Sequence, residues 1–169
     1  MTETAVRPHV RVLRGIDRPA VASLLAALHD SRVFTAEEVR TALELIDEWL
    51  QRGEGSGYFT YVLEDAGAVQ GYVCYGPTPM TDSTYDLYWI AVDPRAHGQG
   101  YGRRLLAFTE ADIRRRGGRL VLIETSSLDA NQSTIRFYER AGYDLAARIR
   151  NFYRVGDDKL IFARELAAN

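Results

Sequence analysis

At 169 residues the chain has the length of one domain, 1–169, with a proper core, and no linker-like stretch divides it. Its 46% apolar and 26% charged residues are ordinary for a globular domain, and a formal net charge of −2 gives no electrostatic case for nucleic acid or an anionic membrane as main partner. No apolar run approaches membrane-spanning length, and the N-terminal residues lack the apolar core of a signal peptide.

The first strand is expected at Val10–Leu13. Asp17 then offers an N-cap, Pro19 suits a first helical turn, and Val21, Leu24, Leu25 and Leu28 fall on one helical face. Thr35 and Glu38 have capping-box spacing for a second helix, whose apolar face is Val39, Leu43, Ile46 and Leu50 and whose stop is Gly53. Tyr58–Glu64 and Val69–Tyr75 read as strands joined by the turn Asp65-Ala66-Gly67. Cys74, the one cysteine, lies on the second of these. It excludes an intramolecular disulfide, fits a reducing, cytoplasmic location, and reads as a small buried hydrophobe rather than a nucleophile.

After the loop Gly76-Pro77-Thr78-Pro79 comes a strand rich in aromatic and β-branched residues, Asp86–Val92, which Pro94 prevents from continuing. Gly98, Gly100 and Gly102 then alternate with Gln99 and Tyr101, and Leu105, Leu106, Thr109 and Ile113 follow at helical spacing. Glycine at alternate positions removes the Cβ atoms that would block close backbone approach. Successive N–H groups at the mouth of a helix can then converge on an anion, so the stretch reads as a phosphate cradle. A tight turn that needs its glycines only for packing is the alternative. The dinucleotide fingerprint fails because Arg103 stands where its third glycine belongs, and the phosphate loop of nucleotide hydrolases fails because no Gly-Lys-Ser/Thr follows.

The helix is expected to run to Arg116 and close at Gly117-Gly118. Leu120–Glu124 is a continuous apolar run, expected as a central strand buried on both faces. A polar loop leads to a helix over Asn131–Arg140 that ends at Ala141-Gly142. Tyr143–Asn151 and Lys159–Arg164 are the last strands, around a Gly156-Asp157-Asp158 turn. The order β-α-α-β-β-β-α-β-α-β-β is α+β, a mixed central sheet of about seven strands flanked by about four helices. His9, His29 and His97 are scattered and make no metal-ligand spacing, so no metal is expected.

His97-Gly-Gln-Gly-Tyr-Gly102 resembles the acetyl-CoA signature of the GNAT N-acetyltransferase superfamily, Gln/Arg-x-x-Gly-x-Gly/Ala, with His97 in the first position. A second motif accompanies it: after the fifth strand, Asn131 and, seven positions on, Tyr138 match the family's Asn and Tyr. The closing segment Arg150–Phe162 resembles a group of bacterial GNAT proteins with little functional definition, and the likeness covers nearly the whole chain.

The resemblance implies direct acetyl transfer from acetyl-CoA to a primary amine of a small molecule or a peptide N-terminus. On it, Ile90, Ala91 and Val92 hold the pantetheine where the fourth and fifth strands splay, and His97, Gly98, Gln99, Gly100, Tyr101, Gly102 and Arg103 hold the phosphates, with Arg104 in reach. Asn131 hydrogen-bonds the pantetheine arm or caps its helix. Tyr138 is the general acid or else a core tyrosine. The base is Asp86, acting through water with Tyr88 beside it, or Glu124 at the end of the fifth strand; for each, a solvated carboxylate is the alternative. The acceptor side is expected to draw on Phe34, Trp49, Tyr75, Tyr85, Phe152 and Tyr153. GNAT proteins are often dimers, and a homodimer is left open. A non-catalytic acetyl-CoA sensor is the competing function, supported by His97, and another acyl-CoA is a competing donor. Arg114-Arg115-Arg116 reads as a solvated helix face rather than a nucleic-acid patch.

Overall fold

The computed structural model describes residues 7–167. Its elements are β1 (His9–Val12), α1 (Arg18–Asp30), α2 (Ala36–Arg52), β2 (Phe59–Asp65), β3 (Ala68–Pro77), β4 (Thr84–Val92), α3 (Tyr101–Arg115), β5 (Leu120–Ser126), α4 (Gln132–Arg140), β6 (Asp144–Arg154) and β7 (Asp157–Glu165), with single turns of 3-10 helix between several of them. The strands make one seven-stranded sheet in the order β1-β2-β3-β4-β5-β7-β6. β4 and β5 run parallel, while β1-β2, β2-β3, β5-β7 and β6-β7 are antiparallel. The mixed sheet and the element order are those expected from the sequence.

Contacts group the chain into two compact units, one comprising residues up to Tyr75 with Trp89–Thr109, the other Gly76–Tyr88 with residues from Glu110 on. In the first, Val21, Leu24, Leu25 and Leu28 of α1 are all buried and join Ala42 and Ile46 of α2 in its core. The capping box of α2 is complete: the Glu38 N–H donates to Thr35 Oγ1 (3.1 Å) and the Thr35 N–H to Glu38 Oε2 (2.7 Å). Gly53 ends the helix at φ 54°. Asp17 departs from expectation. It precedes α1 but makes no side-chain cap. Arg11 takes both its carboxylate oxygens (2.6 and 2.8 Å), and the Arg14 N–H donates to it as well (2.8 Å). A bidentate charged partner outcompetes a neutral helix N–H, and the Arg11 guanidinium holds the Asp17 carboxyl below its usual range. The β2–β3 turn closes through Ala66 (φ 49°) and Gly67 (φ 79°), the paired left-handed conformation that two-residue hairpins use.

In the second unit β4 pairs with β5 from Thr84↔Leu120 to Leu87↔Ile123, and the register with β7 sets Ser126 opposite Lys159 and Ile123 opposite Phe162. Side chains alternate along a strand and paired residues share a face. Tyr85, Leu87, Val121, Ile123 and Phe162 therefore share one face, and all are buried. Asp86, Tyr88, Glu124 and Lys159 share the other. β5 is thus not buried on both faces as expected: Leu120 and Leu122 are half-buried and Glu124 is exposed. Gly118 sits against the buried face. A Cβ there would collide with Ile113 Cγ2 and lie 2.9 Å from the Tyr85 ring. Gly118→Ala is expected to destabilise the fold by about 2 kcal/mol, roughly 5 °C in Tm by calorimetry, because the turn must shift to admit one methyl.

Four buried acids, Tyr72, Cys74, Tyr138 and Tyr143, are held in their neutral forms by burial, which pushes the Cys74 thiol up to about 12 and the three phenols above their ordinary value. The Cys74 thiol lies in the core as expected. Each folded-state pKa lies above the unfolded one, so the stabilisation is complete below the unfolded values, about 8.5 for Cys and about 10 for Tyr. It is lost as pH rises past them, because the unfolded chain releases protons that the folded chain keeps. Tm is expected to hold up to about pH 8.5 and fall steeply by about pH 10.5, read by circular dichroism.

Candidate active site

The turn from β4 into α3 is built to expose backbone amides. Asp93 caps the short turn Pro94–Ala96 by accepting from the Arg95 N–H (2.9 Å). Gly98 and Gly100 follow at φ 80° and 78°, a region side-chain-bearing residues rarely enter. A Cβ at either position would meet nothing within 4 Å, so the loop's surface is open. The glycines are therefore required by conformation and not by close packing. α3 starts at once, at Tyr101, so the loop runs directly into the first free N–H groups of a 15-residue helix, at the positive end of its dipole. Leu105, Leu106, Thr109 and Ile113 bury the face that the periodicity assigns to the core. Arg103 and Arg104 are exposed, and Arg104 Nη1 donates to the Pro8 carbonyl (3.3 Å).

Two side chains of the motif have defined partners. His97 Nε2 donates to the Val92 carbonyl (3.0 Å), so its ring folds back on the strand end. The Tyr101 hydroxyl donates to Asp65 Oδ2 in a short bond, and Gln99 Oε1 lies 3.1 Å away. That bond ties the loop to the β2–β3 turn and raises the phenol's pKa. Sequence spacing gives no hint of this tie, since Asp65 is 36 residues away. Ile90 and Val92 alternate with buried Ala91 and are half-buried on the face they share. Arg114 to Arg116 are not a free basic patch, because Asp112 holds Arg115 and also accepts from Arg116 Nε (2.7 Å).

The titratable candidates lie in the second unit. Asp86 is half-buried and accepts a hydrogen bond from Thr78 Oγ1 (2.6 Å). Tyr88 is on the same strand face and 36% exposed. Parallel pairing stops at Leu87↔Ile123, one residue before Tyr88 and Glu124. Glu124 does not stand alone: its Oε2 is 2.5 Å from the ammonium of Lys159. Tyr138 packs among Phe137, Tyr143 and Phe162, with ring centroids 5.4–6.0 Å apart, on the face opposite Asp86 and Glu124. Its hydroxyl makes no hydrogen bond among the described residues, whereas the Tyr143 hydroxyl donates to Glu110 (3.0 Å). Asn131 occupies the N-cap of α4 but makes no side-chain cap, which leaves its amide unspent on the helix.

The aromatic residues expected on the acceptor side divide. Tyr75 and Tyr85 are core. Phe34 and Trp49 pack against the core of the first unit, and Trp49 Nε1 donates to the Leu13 carbonyl (3.2 Å). Only Phe152 and Tyr153 are half-exposed. Among the described residues no group of three His, Cys, Asp or Glu is placed to hold a metal ion, and no helix is long and apolar enough to cross a membrane.

Known proteins align with this geometry. A sequence profile of the acetyltransferase (GNAT) family matches residues 23–143. The crystal structure of a GNAT-family protein from Desulfovibrio desulfuricans superposes with a TM-score of 0.88 at 44% identity, covering 96% of this chain and 100% of that one. The L-methionine sulfoximine/L-methionine sulfone acetyltransferase of Salmonella typhimurium is 28% identical over 126 residues, 73% of this chain and 71% of its own length. The ribosomal protein bS18-alanine N-acetyltransferase of Escherichia coli is 28% identical over 106 residues, 63% of this chain and 68% of its own. With the fold, the glycine loop at the mouth of α3 and the matched profile in agreement, the chain belongs to the acetyltransferase (GNAT) family and is an acetyl-CoA-dependent N-acetyltransferase.

Proposed function

We propose that the protein moves an acetyl group directly from acetyl-CoA to the primary amine of a small molecule, a peptide N-terminus being the other acceptor open to it. The observation that carries the reading is the loop with Gly98 and Gly100 in left-handed conformation, open above, directly before α3. The backbone amides of Gly98–Gly102 take the pyrophosphate, Arg103 and Arg104 supply charge at its rim, and backbone groups of Ile90, Ala91 and Val92 align the pantetheine. His97 acts through its ring's hold on the Val92 carbonyl rather than through a phosphate contact.

Asp86 is the base. Thr78 fixes its carboxylate, and it receives the acceptor's proton through a water beside Tyr88. The amine nitrogen then bonds the thioester carbonyl carbon, the C–S bond breaks, the new amide nitrogen gives its extra proton to water, and the departing thiolate is protonated from the Tyr138 side. Burial keeps the Tyr138 phenol protonated. A phenol less acidic than the thiol favours holding the departing sulfur with a hydrogen bond over full early proton transfer. The Cys74 thiol, buried and neutral, takes no part. Glu124, neutralised by Lys159, is the weaker base candidate.

A non-catalytic acetyl-CoA sensor is the second reading, favoured by His97 at the first motif position. Calorimetric titration with acetyl-CoA, CoA and NADH, followed by thiol-release assays over a panel of amines, separates the two. Micromolar binding of both CoA species without NADH, and amine-dependent CoA release, is the expected result. Binding without release from any amine would favour the sensor. No CoA binding would sink both.

A further inference from the structure

Ladder pairing between β6 and β7 is interrupted twice, by a one-residue shift between Leu145 and Ala147 and by a longer excursion between Ile149 and Arg154. Ile149 pairs with Lys159 and Arg154 with Asp157, so Arg150–Tyr153 stand opposite Asp158 alone. The excursion is pinned and not slack. Asn151, at φ 55°, donates its N–H to Asp158 Oδ1 (2.8 Å) and accepts from the Gly156 N–H through its own Oδ1 (2.8 Å). Asp158 also receives Arg148 Nε (2.5 Å), and its N–H donates to Ser127 Oγ (2.9 Å). Ser126 Oγ donates to Asp157 (2.5 Å). Both aspartates are buried, and together these bonds tie the hairpin to the loop that follows β5.

What the excursion presents is unusual for a surface. Phe152 and Tyr153, 50% and 48% exposed, meet edge to face with centroids 5.0 Å apart. The Phe152 ring lies 4.6 Å from the ammonium of Lys159, whose side chain is 15% exposed, while the paired Glu124 side chain is 47% exposed. Lys159 is the chain's one lysine. An arginine here would spend its planar fork on both oxygens of Glu124, whereas an ammonium contacting one oxygen keeps donors for a second anion. Lys159 and Glu124 also share the sheet face of Asp86.

A cation and a carboxylate side by side, with the Phe152 ring against the cation and the Tyr153 ring packed on Phe152, complement a zwitterion carrying an apolar group. We infer that Glu124, Lys159 and the Phe152–Tyr153 pair form the acceptor subsite for a free α-amino acid with an apolar side chain. The ammonium arrives at Glu124 and is deprotonated toward Asp86, the carboxylate binds Lys159, and the side chain rests on the rings. This inference rests on the acetyl-transfer reading above and narrows its acceptor. A peptide N-terminus lacks the carboxylate, and a polyamine meets a repelling cation at Lys159.

The test compares kcat/KM for free amino acids, their α-carboxamides and short peptides, in the native protein, Lys159→Met, Lys159→Arg and Phe152→Ala. The native protein is expected to prefer apolar free acids over their carboxamides by roughly tenfold or more, as a site that pairs a substrate charge does. Lys159→Met should raise KM for the acids and bring that ratio to about 1, Lys159→Arg should keep part of it, and Phe152→Ala should erase the preference for apolar side chains. Equal native rates for acids and carboxamides, a ratio that survives Lys159→Met, or turnover of peptides alone would overturn the subsite while leaving acetyl transfer intact. Absence of CoA binding would instead refute the earlier reading.

Discussion

Tyr138→Phe is expected to lower kcat about 100-fold, within the range for losing a positioned proton donor, while the Kd for acetyl-CoA stays within about twofold. The phenol ring packs on Phe162 and Tyr143, and these contacts survive the change. The hydroxyl makes no hydrogen bond among the described residues, so its removal takes nothing from the fold, and burying one polar group fewer should leave Tm equal or slightly higher. Tyr143→Phe is the contrast: it strips the donor from Glu110, a buried carboxylate that Arg164 also contacts at 2.9 Å. That variant should lose stability first and activity only in consequence. Turnover with bound acetyl-CoA, measured against calorimetric affinity and Tm, decides it. A Tyr138→Phe variant that keeps full kcat, or that loses CoA affinity in proportion to rate, would refute the acid role.

Gly100→Val is expected to weaken acetyl-CoA binding at least tenfold. A β-branched residue at φ 78° carries about 1–3 kcal/mol of backbone strain, and relieving it reshapes the loop whose amides are proposed to hold the pyrophosphate. Its side chain would also project into the open space above the loop, where the pyrophosphate is proposed to lie. Gly57 supplies the control, with φ 81° and equally open surroundings but in the turn before β2. Gly57→Val should cost similar stability and leave acetyl-CoA affinity unchanged. Equal effects of the two on affinity would mean that the loop's glycines serve only the turn.

Much of the fold was legible because its signals are local. The Thr35–Glu38 capping box, the α1 stripe from Val21 to Leu28 and the Ala66-Gly67 turn each depend on residues within one or two helical turns or one hairpin. The glycine loop was legible for the same reason, since conformation at Gly98 and Gly100 is a property of the short stretch itself. What escaped depends on register. Glu124 and Lys159 are 35 positions apart in the chain and meet only because β5 and β7 pair as they do. Asp17 looked like a cap until β1 brought Arg11 to it. The half-open face of β5 was hidden because an apolar run reads the same whether or not both sides are covered. Asp86 and Tyr138 were singled out as candidates through likeness to the family, and their opposite faces became visible only with the strand register.

An enzyme that works beside a reactive thioester is bathed in an acylating agent that also attacks lysine side chains without any catalyst, through the small fraction of each ammonium that has lost its proton. This chain carries twenty arginines and a single lysine, and that lysine is shielded, ion-paired to Glu124 and capped by the Phe152 ring. Its basic surface is therefore almost wholly guanidinium, which such acyl donors leave alone. The composition gives a lysine-poor coat resistant to chemical damage by the enzyme's own substrate, and it makes amine-directed cross-linkers and labels a poor choice for studying it.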